Sequence, residues 1–177
     1  MRQLKLEELK RLNVVEARRS PKLPIVLVLE NMRSAFNVGS LFRSADSFAI
    51  QKIILIGFTP QPPHPEIRKA ALGAEDVVEW IQESYINEAP KHYPPNWLSL
   101  ALEQTDVPCF LEDFDCHSLC GLALYIGNEV HGLSQDALNL CSSAIEIRQF
   151  GHKHSLNAAI AGSIALWWLS TCIRRRY

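Results

Sequence analysis

Two apolar runs constrain the fold most: IVLVL at residues 25–29 and KIILIG at 52–57. Neither alternates apolar with polar, so neither fits a strand with one wet face. Runs rich in β-branched residues and Leu suit strands buried on both sides, as in a parallel sheet covered by helices. A helix is expected over 38–48 between them, and the pattern repeats downstream. Strands are expected at 74–80, 107–111, 122–126 and 144–147, and helices at 66–72, 96–105, 134–140 and 155–173. Residues 84–96 are polar and Pro-containing and read as loop. Strands alternating with helices give an α/β fold with a mainly parallel sheet. At 177 residues, this is a single domain large enough to bury its own core.

The N-terminal segment reads differently. Leu4, Leu9 and Leu12 lie among charges over 3–13, compatible with a short amphipathic helix, and Pro21 and Pro24 close the segment. Residues 1–24 carry seven Lys or Arg against three Glu, and Arg174, Arg175 and Arg176 make a second basic tip, although the formal net charge is −1. Basic ends on an acidic body suit a polyanion gripped at particular places, or are simply solvated termini. We therefore divide the chain into a basic helical arm, 1–23, and a catalytic-sized domain, 24–177. The charged N-terminus lacks the apolar core of a secretory signal. The apolar run at 158–169 falls short of the roughly 20 residues of a membrane span. Five cysteines at irregular spacing suggest a reducing, cytoplasmic setting rather than a disulfide scaffold. Cys116, His117 and Cys120 lack a second ligand pair, so no metal is expected.

Three polar stretches fall where strands end: 31–43 after the first strand, Gly127-Asn128-Glu129 after LALYI, and 148–157 after the last. Open α/β sheets bind ligands outside the carboxyl ends of their strands, so the three loops point to one shared site. The sequence lacks G-x-G-x-x-G after the first strand, a Walker-type phosphate loop and a G-x-S-x-G elbow, which argues against nicotinamide, P-loop and α/β-hydrolase chemistry.

These stretches carry a family resemblance. NVGSLFRSADSFAIQKIILIG resembles the first motif of the SpoU, or TrmH-like, branch of the SPOUT RNA methyltransferases, N-x-G-x-x-x-R-x-A before a strand. ALYIGNEVHGLS resembles the second, G-N-E-x-x-G-[LI], and SLNAAIAGSIALW the third, S-L-N opening a small-residue helix. RKAALGAEDVVEW is similar to the intervening K-x-[AS]-x-G-A segment. The match runs over about residues 25–170, with the motifs in the family's order.

The resemblance implies a Rossmann-like sheet with its C-terminal part tied in a deep trefoil knot, a homodimer, and S-adenosylmethionine bound at the knot. It implies methyl transfer to a ribose 2′-OH of tRNA or rRNA. It assigns catalytic roles to Arg43, Asn37, Glu129, Ser155 and Asn157. Cofactor contacts would come from Ile126, Gly127, Ile147, Leu156 and Asn157, with Leu124 and Tyr125 as further candidates. RNA contacts would come from Arg43, Lys153, Arg174 and Arg175. Two roles stay open for Arg43, proton acceptor or a group that holds phosphate and polarises the hydroxyl. The second is physically easier, because a guanidinium stays protonated. His152 and His154 beside Lys153 could touch phosphate, move a proton, or be plain solvated residues.

One departure stands out. Where the family has I-P-M-x-G, this chain has Ile147-Arg148-Gln149-Phe150-Gly151. Backbone contacts to the cofactor would survive the change, whereas side-chain packing would differ. The competing function is therefore a SPOUT-fold RNA-binding protein that has lost catalysis.

Overall fold

A computed structural model describes residues 1–5, 8–9, 12–107, 109–116 and 119–174. Six strands form one sheet in the order β3-β2-β1-β5-β4-β6, and every paired strand runs parallel. The strands are β1 (Leu23–Glu30), β2 (Ile50–Ile56), β3 (Glu79–Glu83), β4 (Leu98–Leu102), β5 (Leu122–Ile126) and β6 (Ser143–Ile145). The helices are α1 (Val14–Arg19), α2 (Ala35–Ser47), α3 (Pro65–Ala71), α4 (Gln135–Leu140) and α5 (Ala158–Arg174). The apolar runs IVLVL and KIILI lie in β1 and β2, neighbours near the sheet centre and almost wholly buried.

Each sheet face has its own core. Leu27, Leu29, Ile53, Leu55, Leu124 and Ile126 pack with α2, α3 and α5. Val26, Val28, Ile54, Ile56, Ala123 and Tyr125 face α4 and the short 3-10 segment Ile86–His92. The second core contains a polar knot of hydroxyls: Tyr93 Oη lies 2.6 Å from Tyr125 Oη and 2.9 Å from Ser99 Oγ. A buried hydroxyl needs such a partner, because an unpaired one costs about 1–3 kcal/mol. On the other face, Gly39 lets α2 approach α3 closely. A Cβ there would stand 2.5 Å from the Ile67 carbonyl oxygen.

Several elements differ from the sequence expectation. The first described α-helix is Val14–Arg19, where Asn13 and Glu16 form a reciprocal cap. The helix expected over 3–13 falls partly outside the described residues, at 6, 7, 10 and 11. The strand expected at 74–80 is a 3-10 turn, Ala74–Asp76, followed by β3, because Gly73 turns the chain at φ +93°. The helix expected at 96–105 is β4. WLSLAL has good helix formers, but β5 and β6 offer it two parallel ladders, with Leu100 opposite both Leu124 and Ser143. Tertiary pairing overrides local propensity. The strand expected at 107–111 shrinks to one bridge, Phe110 to Glu146, and a 3-10 turn. β6 ends at Ile145, and α5 begins at Ala158 instead of 155.

The cysteines also depart from expectation. Cys116 and Cys172 form a disulfide with Cα atoms 6.1 Å apart, tying the segment before β5 to the end of α5. Cys109, Cys120 and Cys141 are free. No described helix is long and apolar enough to cross a membrane.

Candidate active site

A cleft of about 320 Å³ opens at the carboxyl ends of β4, β5 and β6. Its apolar walls are Ile126, Ile145, Ile147 and Leu156, and its rim includes Glu103, Glu129, Glu146 and Ser155. The loop after β5 shapes one side. Asn128 and Gly132 exchange backbone hydrogen bonds of 3.0 and 2.9 Å, and Asn128 Oδ1 accepts from the N–H groups of Val130 (2.9 Å) and His131 (3.1 Å). Gly127 has no room for a side chain, since a Cβ would lie 2.2 Å from the backbone of Gly132 and Leu133. Gly132 takes a left-handed φ of +67°, which favours glycine.

Three carboxylates hold this loop. Glu103 Oε2 accepts from Leu133 N (3.0 Å). Buried Glu30 accepts from Ser134 N (2.9 Å) and Ser134 Oγ (2.6 Å). Glu129 reaches the other way, to the mouth of α2, accepting from Arg33 N (2.8 Å), Ser34 N (3.0 Å) and Asn37 Nδ2 (2.9 Å). Burial alone would push the Glu129 carboxyl up. The hydrogen bonds from Arg33, Asn37 and Ser34 together outweigh burial and hold it below its ordinary value.

The chain of contacts continues into α5. Asn157 Nδ2 donates to Asn37 Oδ1 at 3.1 Å. Asn157 Oδ1 accepts from Ala159 N (2.9 Å) and Ile160 N (3.2 Å), which makes Asn157 the N-cap of α5. Ser155, two residues earlier, lines the cleft. Further along, Ser44 Oγ and Ser163 Oγ stand 2.7 Å apart across α2 and α5. Gly162 lets α5 settle against Ile126 and Leu41.

The structure thus brings Ile126, Gly127, Ile147, Leu156, Ser155 and Glu129 around one cleft, with Asn37 and Asn157 joined behind Glu129. Arg43 is not among them. It is exposed on α2, six residues past Asn37, a spacing that puts it on a different helical face. Leu124 and Tyr125 are buried in β5 and do not line the cleft. Lys153, His152 and His154 lie on an exposed loop. Arg174 donates to the Phe48 carbonyl (3.4 Å), and Arg175 is outside the described residues. Arg148 leaves the cleft altogether. It pairs with Glu112 (2.8 Å) and Asp113 (3.3 Å) and stacks 3.7 Å from the Phe110 ring centroid. Gln149 does line the cleft.

Sequence reading missed Glu103, Gln104 and Asn31. Glu103 and Gln104 were hidden because 96–105 read as helix; as a strand end, both would have been site candidates. Gln104 Nε2 donates to the His154 carbonyl (3.1 Å) and so anchors the loop that covers the cleft. Asn31 adopts φ +50° after β1, and its carbonyl accepts from Asn128 Nδ2 (2.7 Å). Asn following a buried strand was the available signal.

A parallel α/β sheet with its cleft at the strand ends, walled by glycine loops and without a phosphate loop, defines a class of small-ligand-binding α/β domain. The SpoU rRNA Methylase family model matches residues 24–167, and the chain belongs to that family. A Staphylococcus aureus protein assigned to the TrmH family of tRNA/rRNA methyltransferases is 26% identical over 145 residues, covering 82% of this chain and 58% of the relative. The chain thus spans a little over half the length of the curated relatives it matches. Among solved structures, the AdoMet-bound rRNA methyltransferase of Sinorhizobium meliloti superposes with a TM-score of 0.77 at 24% identity, covering 90% of this chain and 60% of that one. The A. aeolicus TrmH/SpoU tRNA modifying enzyme has a TM-score of 0.79 at 15% identity and covers 92% of this chain and 82% of that one. At these identities the likeness establishes the fold.

Proposed function

We propose that this chain is an S-adenosylmethionine-dependent methyltransferase acting on a ribose 2′-OH of tRNA or rRNA, as a homodimer in the cytoplasm. The observation that carries the reading is the hydrogen-bonded line Glu129–Asn37–Asn157. It joins one residue from each of the three motifs beside a cleft of fitting size and chemistry.

The residues present suit the cofactor. Ile126, Ile145, Ile147 and Leu156 offer an apolar slot for an adenine ring, and Gly127 and Gly132 let the loop beside it pack tightly on Leu133 and Glu103. When bound, S-adenosylmethionine supplies an electrophilic methyl on a sulfonium. The chain's own residues do the positioning. Glu129 fixes the mouth of α2 against the cleft loop, and Asn157 fixes the start of α5 to the same point. Arg43 would hold RNA phosphate and polarise the attacking hydroxyl, a role a permanently charged guanidinium can fill.

A second copy would bridge the gap between Arg43 and the cleft. The support for it is an apolar stripe on α5: Ile160, Ile164 and Trp167, spaced by four and three, are 54%, 37% and 53% exposed. Such a stripe on one helix face suits a buried helical interface. A knotted C-terminal segment is part of the same reading, supported by the close seating of α5 against Ile126 and Leu41. Lys153, Arg174, Arg175 and the basic arm 1–23 are the proposed RNA contacts.

The test is incubation with unmodified tRNA and rRNA and methyl-labelled cofactor, followed by mapping of alkali-resistant linkages. Label at a 2′-O position supports the reading. RNA binding without transfer, by protein that binds the cofactor, would favour the non-catalytic alternative.

A further inference from the structure

Charge distribution in the cleft says more than its shape. Its lining includes Glu103, Glu129 and Glu146 but no Lys or Arg among the described residues. Arg148, at the start of the covering loop, pairs with Glu112 and Asp113, and Lys153 within that loop is exposed and does not line the cleft. The three carboxylates are not equivalent. Glu129 is turned toward Arg33, Ser34 and Asn37, and Glu146 accepts from Gln104 Nε2 at 3.3 Å. Among the described residues Glu103 meets backbone N–H groups, those of Leu133 (3.0 Å) and Gln104 (3.0 Å). It also lies directly over Gly132, where a Cβ would stand 2.3 Å from its Oε2. The missing side chain there gives the carboxylate room to seat on the Gly132–Leu133 backbone, at the edge of the cleft it lines.

We propose that Glu103 determines the charge preference of the cleft, favouring the cationic sulfonium form of an adenosyl ligand over its neutral thioether product. The inference rests on the cofactor reading above. A carboxylate beside a partly desolvated cleft attracts a positive ligand and is indifferent to a neutral one. Methyl transfer removes the positive charge from sulfur, so the hold exerted by Glu103 disappears with turnover and release of the product is eased.

The experiment is calorimetric titration of the full chain and of Glu103→Gln with S-adenosylmethionine and with S-adenosylhomocysteine. The glutamine oxygen can still accept from Leu133 N, so the loop stays pinned while the charge is gone. Affinity for the sulfonium ligand should fall about threefold to tenfold, a partly screened charge effect, with the thioether within about twofold of wild type. Glu103→Asp should restore most of the preference. Equal loss for both ligands, or no loss for either, overturns the proposal and leaves the cofactor reading standing. Wild-type protein that binds neither ligand overturns the cofactor reading, and this proposal with it.

Discussion

Replacing Glu129 by Gln tests whether its carboxylate fastens the cleft loop to α2. The carboxylate accepts three N–H groups at 2.8–3.0 Å, and Gln offers one acceptor oxygen and an NH2 that faces donors. Charge-assisted hydrogen bonds contribute about 1.5–3 kcal/mol each when buried. Glu129 is only half-buried, so solvent screening cuts that figure, and we expect a total loss of about 2 kcal/mol. For a chain of this size that corresponds to a fall in Tm of about 4–8 °C. The sign with pH follows from the depressed carboxyl. A depressed carboxylate stabilises fully above its unfolded value, about 4.3, and the contribution is lost as pH falls through the lower folded value. Urea unfolding followed by circular dichroism should therefore show a steady gap between wild type and Glu129→Gln from pH 5 to 8. The gap should close as pH drops below about 4. A gap that is absent at pH 7, or unchanged at pH 3, would show that the Glu129 carboxylate does not fasten the loop.

Other perturbations reach the rest of the site. Arg43→Ala should lower methyl transfer by at least about a hundredfold while cofactor affinity in calorimetry stays within about twofold; lost cofactor binding would put Arg43 in the cleft. Trp167→Glu combined with Ile160→Asp should convert a dimer to a monomer in sedimentation at micromolar concentration, and an unchanged dimer would place the interface elsewhere. Removing residues 1–22 should weaken RNA binding and flatten its salt dependence without changing the unfolding transition. Unaltered RNA affinity would remove the arm from the docking surface.

The sheet was largely legible in the sequence, because IVLVL, KIILI and LALYI are buried on both faces and their composition reflects it directly. β4 was not legible. WLSLAL satisfies helix propensity, and only the ladders to β5 and β6, both distant in sequence, make it a strand. That one misreading hid Glu103 and Gln104, which matter because they stand at a strand end. The motif residues Asn37, Glu129 and Asn157 were legible as candidates, but their connection was not. A hydrogen bond between residues 120 positions apart, Asn157 to Asn37, follows only from how α2 and α5 meet. The Arg148 departure shows the reverse. It read as a change to the cofactor pocket, and its side chain turns instead to Phe110, Glu112 and Asp113.

On the proposed function, the cleft at the ends of β4, β5 and β6 receives S-adenosylmethionine. Calorimetric titration of the purified chain with that ligand tests it most directly. Saturable one-to-one binding in the micromolar range, about −8 kcal/mol, lost in Gly127→Ala, is the predicted result. A folded protein that binds no cofactor, or whose binding survives a Cβ forced to 2.2 Å from the Gly132 and Leu133 backbone, would contradict it.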